Sequence, residues 1–333
     1  MPIGRKDMTI RQIFRSSVAV AALSLAAATA QAADLRIAIA NFGEHPQLAQ
    51  ASEGFRAALA EAGYTEGDKV EFIESHTNFD TTLLPQMIAK LQADNPDLLY
   101  TITTPVSQVA KSATEGSGLP IVFGAVTDPV AAKLVPSWEA GDATMTGASD
   151  LQDIPAILAF TRKLFPDAKR LGLPYNPGEA NDVALLEIVT AAAGDAGFEV
   201  VGVGVDSVND IQQRIASLAG KVDVIYVPTS NLIQPALPAV AAAARQVEIP
   251  IVNATNEGVK EGIVAASFAV DYAQVGKNAG MIAAKVLDGT APADIAPVTP
   301  AYEDHHPQIS KSAMAAIGAE IPADLADCGC IMD

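Results

Sequence analysis

Polar side chains gather in short runs, each following an apolar stretch. Asn41-Phe42-Gly43-Glu44-His45-Pro46, Thr103-Thr104-Pro105-Val106-Ser107 and Val126-Thr127-Asp128-Pro129 lie in the first half of the chain. Tyr175-Asn176-Pro177-Gly178-Glu179-Ala180-Asn181, Pro228-Thr229-Ser230-Asn231 and Asn253-Ala254-Thr255-Asn256-Glu257 lie in the second, and Asp271 closes a later apolar run. Hydroxyls ahead of a helix, such as Thr104 and Ser107, suit a carboxylate, because free backbone N–H groups and the helix dipole both favour an anion. Asn181 stands ahead of another helix in the same way. Asp128, Glu179 and Asp271 can hold an ammonium group, and His45 can donate a hydrogen bond. Phe42, Tyr175 and Phe268 can pack against a ring. Each of these residues alone also serves as a turn or helix cap. Their recurrence in both halves is what points to a polar cleft for a zwitterionic solute. The candidate ligand-binding set is therefore Phe42, His45, Thr104, Ser107, Thr127, Asp128, Tyr175, Asn176, Glu179, Asn181, Thr229, Asn231, Thr255, Asn256 and Asp271.

Catalytic constellations do not emerge from the same residues. His45, His76, His305 and His306 form neither an H-E-x-x-H run nor a Cys/His ligand spacing, so no metal site is expected, and His305-His306 reads as a surface pair in an acidic segment. There is no G-x-S-x-G elbow and no phosphate-binding G-x-x-x-x-G-K loop. Gly202-Val203-Gly204 sits inside a strand pattern rather than opening a helix, which argues against a dinucleotide site. Glu179 with Asp128 as a glycosidase pair has no support from spacing. The expectation is a binding protein without a cofactor, not an enzyme.

The elements that must position these residues alternate regularly. Strand patterns at 35–40, 70–74, 98–103 and 119–126 alternate with helical patterns at 48–62, 82–93 and 106–114, which implies a parallel sheet covered on both faces. The pattern then restarts. Arg170-Leu171-Gly172-Leu173 echoes Arg36-Ile37-Ala38-Ile39, Ala196-Gly197-Phe198 echoes Ala62-Gly63-Tyr64, Asp223-Val224-Ile225-Tyr226 echoes Asp97-Leu98-Leu99-Tyr100, and Pro250-Ile251-Val252 echoes Pro120-Ile121-Val122, in the same order and at nearly constant offset. Two doubly wound α/β lobes joined by a hinge follow. One lobe is expected over 33–147 plus about 270–298, the other over 148–269 plus about 299–333. The hinges are expected at 142–149 and 266–271. Ligands of open parallel sheets bind beyond the carboxyl ends of the strands, so two facing lobes enclose one cleft.

The first 32 of the 333 residues read as a cleaved secretory leader. Arg5, Lys6, Arg11 and Arg15 precede an apolar run over 18–30, and Ala30-Gln31-Ala32 is a small-x-small cleavage pattern. The apolar run is too short for a comfortable membrane span, and no Cys near it invites a lipid. The net charge of −18 repels phosphate backbones, so nucleic acid is not an expected partner, and the leader occupies the place where a sensing regulator would carry its DNA-binding segment. Cys328 and Cys330, the two cysteines, sit close together near the C-terminus. A C-x-C pair closes a very small ring, and its role is read as peripheral. The expected protein is exported, soluble and monomeric.

The same segments carry a family likeness. The pieces are Glu44-His45-Pro46, Glu53-Gly54-Phe55, Ala62-Gly63-Tyr64, Thr104-Pro105, Pro120-Ile121-Val122-Phe123, Val126-Thr127-Asp128-Pro129 and Thr146-Gly147 with Ser149-Asp150. Further pieces are Tyr175 through Asn181, and Tyr226-Val227-Pro228-Thr229 with Asn231. Through them the chain resembles the bacterial ABC-importer substrate-binding proteins of the tryptophan/tyrosine-binding type, over nearly the whole length beyond the leader. The resemblance implies a type I periplasmic-binding fold, a permease and its ATPase as partners, and an aromatic amino acid or similar small solute as ligand. One departure is Ala254-Thr255, where the resemblance implies Ser-Asp, so a carboxylate for a free amino group is missing there. A module that reports to a membrane receptor instead of a permease is the alternative.

Overall fold

The computed structural model describes residues 35–332, and the expected leader lies outside them. The first sheet holds β1 (Leu35–Asn41), β2 (Val70–His76), β3 (Leu98–Ile102), β4 (Ile121–Gly124) and β5 (Met145–Gly147), all parallel, in the order β2-β1-β3-β4-β5. β1, β3 and β4 are apolar along almost their whole length and buried on both faces, as strands covered by helices must be. Helices α1 (Pro46–Glu61), α2 (Leu84–Ala93) and α3 (Thr104–Ala113) connect them. Pro46 opens α1, where its missing N–H costs nothing. Gly63, at φ 89°, lets the chain turn out of its end, and the amide of Tyr64 closes back on the Leu59 carbonyl. The third helix starts at Thr104, ahead of the expected 106, because Pro105 suits a first turn, and the fourth strand is shorter than the expected 119–126.

The second lobe repeats the plan. Helix α4 (Ile154–Leu164) leads to β6 (Arg170–Tyr175), α5 (Ala180–Ala193), β7 (Glu199–Gly204), α6 (Ile211–Ala216), β8 (Val224–Val227), α7 (Leu237–Gln246), β9 (Ile251–Asn253) and β10 (Ala266–Val270). Their order, β7-β6-β8-β9-β10, is that of the first sheet. The echoed residues do the same work in each copy: the Asp97 carboxylate accepts the Arg36 amide at 2.7 Å, and the Asp223 carboxylate accepts the Arg170 amide at 2.8 Å. After α8 (Tyr272–Leu287), β11 (His305–Ser310) adds antiparallel to β10, followed by α9 (Lys311–Ala316) and β12 (Ile331–Met332), which pairs parallel with β11. Cys328 and Cys330 are joined as a disulfide just before β12.

The chain passes between the lobes three times. β5 belongs to the first sheet and α4 packs on the second, so residues 148–153 form the first crossing, beginning where the expected hinge at 142–149 ends. α8 leaves the second sheet and packs against α1, so Asp271 marks the second crossing. The helix after the fifth strand thus covers the opposite lobe in both copies. A third crossing, before β11, runs beside the first. Ala148 bridges Val298, and the Asp153 amide donates to His305 Nε2 at 3.1 Å. His305 is consequently buried, with Nδ1 against the Ala301 carbonyl at 3.0 Å, while His306 remains exposed. This corrects the expected surface pair: the crossing needs an acceptor there, and only one of the two rings points outward.

Candidate ligand-binding site between the lobes

The strand ends of both lobes face one narrow space. Two adjoining cavities, of about 30 and 20 Å³, share Leu48, Thr229, Asn231 and Tyr272 in their walls, so the lobes are drawn together over it. Larger hollows, of about 520, 560 and 330 Å³, lie on the outside of the second lobe, and no unpartnered buried polar atom among the described residues lines them. The interlobe cavity differs sharply in this respect. Thr103 Oγ1, Thr104 Oγ1 and Asn181 Oδ1 are buried without a partner, and all three residues line it. Buried polar groups are nearly always satisfied, so three orphans on one cavity mark a place that a ligand completes.

Backbone strain marks the same wall. Thr103 has φ 86° and ψ 158°, a region that costs a non-glycine residue on the order of 1–3 kcal/mol, and Ala125 beside the cavity has φ 54°. Thr103 is held there from below. Its carbonyl accepts the Ser107 amide at 3.1 Å and the Ser107 hydroxyl at 2.8 Å, and Ser107 Oγ lies 2.8 Å from Thr101 Oγ1. Ser107 is therefore a buried brace for the loop and does not line the cavity. Thr104 begins α3, so its hydroxyl sits beside first-turn amides that lack helical acceptors.

On the hinge side stands Asp150, in the first crossing and 3 % exposed. It accepts hydrogen bonds from Thr127 Oγ1 at 3.1 Å and from the Tyr272 hydroxyl at 2.6 Å, which links the first two crossings to the cavity wall. Burial pushes its carboxyl above the usual range, while the bonds from Tyr272 and Thr127 pull it down. Burial likewise raises the Tyr272 phenol, reinforced by the Asp150 charge.

The second lobe supplies a carboxyl pair. Glu179, just ahead of α5, accepts Asn231 Nδ2 at 2.7 Å, Asn176 Nδ2 at 3.0 Å and Asn181 Nδ2 at 3.3 Å. Its neighbour Asp182 accepts Asn181 Nδ2 at 2.8 Å and the Asn176 amide at 2.6 Å. Asp182 is pushed up to about 8, by burial first and by the charge of Glu179 second.

Of the residues named from sequence, His45, Thr104, Thr127, Asn181, Thr229 and Asn231 line these cavities. Glu179 stands behind them. Others are occupied locally. Asp128 caps the amides of Val130 and Ala131, and Asp271 caps those of Ala273 and Gln274 at the start of α8. Asn176 spends its side chain on Glu179 and the Gly178 amide. Thr255 is buried between Asn253 and Gln234, and Asn256 accepts from Ser267. Phe42 packs edge-on against Phe79, with centroids 5.3 Å apart, and Phe79 is the ring that reaches the cavity wall. Tyr175 flanks the second-lobe core, and Phe268 stacks among Phe160, Tyr302 and His305. Burial holds His45 below its ordinary value, with Glu257 acting in the opposite sense. Thr103, Asp150 and Tyr272 are not in the candidate set, although Thr103 and Asp150 stand in quoted segments and Asp150 and Tyr272 each follow an expected hinge, 142–149 and 266–271, by one residue.

Comparisons with known proteins give the family and the fold. Residues 36–326 match the ABC transporter substrate binding protein family. The tyrosine-binding protein of Clostridioides difficile (strain R20291) is 38 % identical over 265 residues, covering 79 % of this chain and 75 % of that protein. The ABC domain from Streptococcus pneumoniae in complex with L-Trp superposes with a TM-score of 0.82 at 29 % identity, covering 88 % of this chain and 97 % of that one. The ligand-free, open structure of a substrate binding protein with adhesive properties from Clostridium difficile gives 0.67, although its identity is 32 %, covering 87 % and 97 %. The whole chain thus superposes better on the L-Trp complex than on the open form. The fold is the type I periplasmic-binding fold, shared also with a glucose-galactose binding protein at 15 % identity. The chain belongs to the ABC transporter substrate binding proteins.

Proposed function

We propose that this protein is the exported solute-binding subunit of an ABC importer and that it closes on an aromatic amino acid, or a close relative, between its lobes. The observation that carries this reading is the sorting of polar groups around one cavity. Thr103, Thr104 and the first-turn amides of α3 offer donors to a carboxylate, while Asp150 and Asn181 Oδ1 offer acceptors to an ammonium. That is the head group of an amino acid. The adjoining cavity, with Leu48, Phe79 and Pro235 beside His45, has the lining for a ring with a polar tip, and at about 30 Å³ it requires the lobes to part to admit one. Binding of tyrosine by one relative and of L-Trp by another supports the same ligand class. Asp150 also answers the missing carboxylate at Thr255, because it brings one from the hinge.

The apolar run at 18–30 and the Ala30-Gln31-Ala32 pattern support export to the periplasm without a lipid anchor. A permease and its ATPase are the partners this role requires, with a monomer delivering solute to them. The crossings at 148–153, at 271 and before β11 serve as the hinge. A thermal-shift screen of residues 33–333 tests the ligand class. A ligand that binds only the folded state at a hundred times its Kd adds about 2.7 kcal/mol of stability. Tyrosine or tryptophan should raise the melting temperature. A shift with sugars or polyols and none with amino acids would overturn the reading.

A further inference from the structure

We infer that Glu179 is a positioning residue, which turns the amides of Asn181 and Asn231 so that the cleft meets only their oxygens. The inference rests on the reading that an ammonium group occupies this cleft. Glu179 and its neighbour Asp182 are buried, at 8 % and 1 % exposure, and among the described residues no Lys or Arg pairs with either. A carboxylate can only accept, so an amide that meets one must turn its NH2 edge toward it. Asn181 spends Nδ2 on Glu179 and Asp182 together, and its Oδ1, buried and unpartnered, is what remains for the cavity. Asn231 lines both cavities and likewise gives Nδ2 to Glu179, at 2.7 Å.

The consequence is a matched set. Two amide oxygens from the second lobe and the Asp150 carboxylate from the hinge make three acceptors, and an ammonium has three N–H donors. With a neutral residue at 179 either edge of each amide could face the ligand, and the wall would lose its preference for a cation. The pair also avoids placing two full charges behind the site. Asp182, pushed up to about 8, keeps its proton at neutral pH and can donate as well as accept, so Glu179 is the group that only accepts and fixes the amides.

Calorimetry with paired probes tests this. L-tyrosine is compared with 3-(4-hydroxyphenyl)propionate, and L-tryptophan with 3-indolepropionate, each acid lacking only the amino group. The wild type should prefer the amino acid of the productive pair by about a hundredfold or more. In Glu179→Gln the amino acid should weaken at least about tenfold, while the acid without the amino group changes less than about threefold. A general loss of structure would weaken both probes alike. A folded Glu179→Gln protein that keeps the wild-type preference overturns the inference and leaves the ligand reading intact. Wild-type protein that binds neither pair overturns that reading, and the inference with it. If Glu179→Gln does not fold, nitrogen-15 NMR of the wild type decides. The Asn181 and Asn231 side-chain NH2 protons should exchange slowly before any ligand is added. Free-amide exchange that becomes protected only on adding tyrosine or tryptophan would contradict the orientation.

Discussion

Asp150 is the residue on which recognition turns. It is buried, faces the cavity, and takes hydrogen bonds from Thr127 in one lobe and Tyr272 across the hinge. Replacing Asp150 with Asn removes the charge while keeping the shape, and should cost about 1.5–3 kcal/mol of amino-acid affinity, or about 10- to 150-fold in Kd. The pH dependence follows from the direction of its shift. Burial raises the carboxyl, so on acidification it takes up a proton at a higher pH than an ordinary Asp. Affinity for an ammonium ligand should therefore fall as pH falls through that raised value, and Asp150→Asn should flatten the fall. Titrations from neutral pH down into the ordinary carboxylate range check this; a profile that is flat in the wild type contradicts it. Sequence exposed the wall better than the hinge. Thr104, Thr127, Asn181, Thr229 and Asn231 stand at strand ends and were legible as such. Asp128 and Asn176 carried the same signal but spend their side chains on local turns, a choice that composition cannot reveal.

Helix α8 brings Tyr272 to that carboxylate, and its packing is set by glycine. A Cβ at Gly276 would overlap the Ala51 carbonyl, one at Gly280 would press on the Phe55 carbonyl, and one at Gly54 of α1 would meet the Ala273 carbonyl. The two helices therefore approach at backbone distance, and Tyr272, buried at the first turn of α8, inherits its position from that contact. Gly276→Ala should destabilise the protein by about 1–3 kcal/mol through overpacking. It should also weaken ligand binding, because the Tyr272 hydroxyl moves relative to Asp150. Urea unfolding and calorimetry on the same variant check both effects; a loss of stability below about 0.5 kcal/mol would show that the helices part without cost. The helix was legible from its apolar spacing. Its backbone-distance packing against α1 was not, because periodicity reports which face is buried and not how closely it is met.

At the scale of the whole molecule, the doubled unit was legible because echoed segments keep their order: Arg36 and Arg170, Asp97 and Asp223 recur at equivalent strand starts. The identical strand order of the two sheets gives that echo a physical meaning. At the third crossing only a lobe boundary near 298–299 was expected; the burial of His305 against Asp153 carries no repeat and left no mark in the sequence. A two-lobed body tied by short crossings has one soft motion, opening and closing about them. The chain superposes better on the L-Trp complex than on the open ligand-free relative, and closure on ligand is the expected direction of that motion. Small-angle scattering of residues 33–333, with and without saturating tyrosine or tryptophan, tests the account most directly. A radius of gyration that falls on adding ligand is the predicted result. Superimposable curves, under conditions where calorimetry shows the ligand bound, would contradict closure over the cleft.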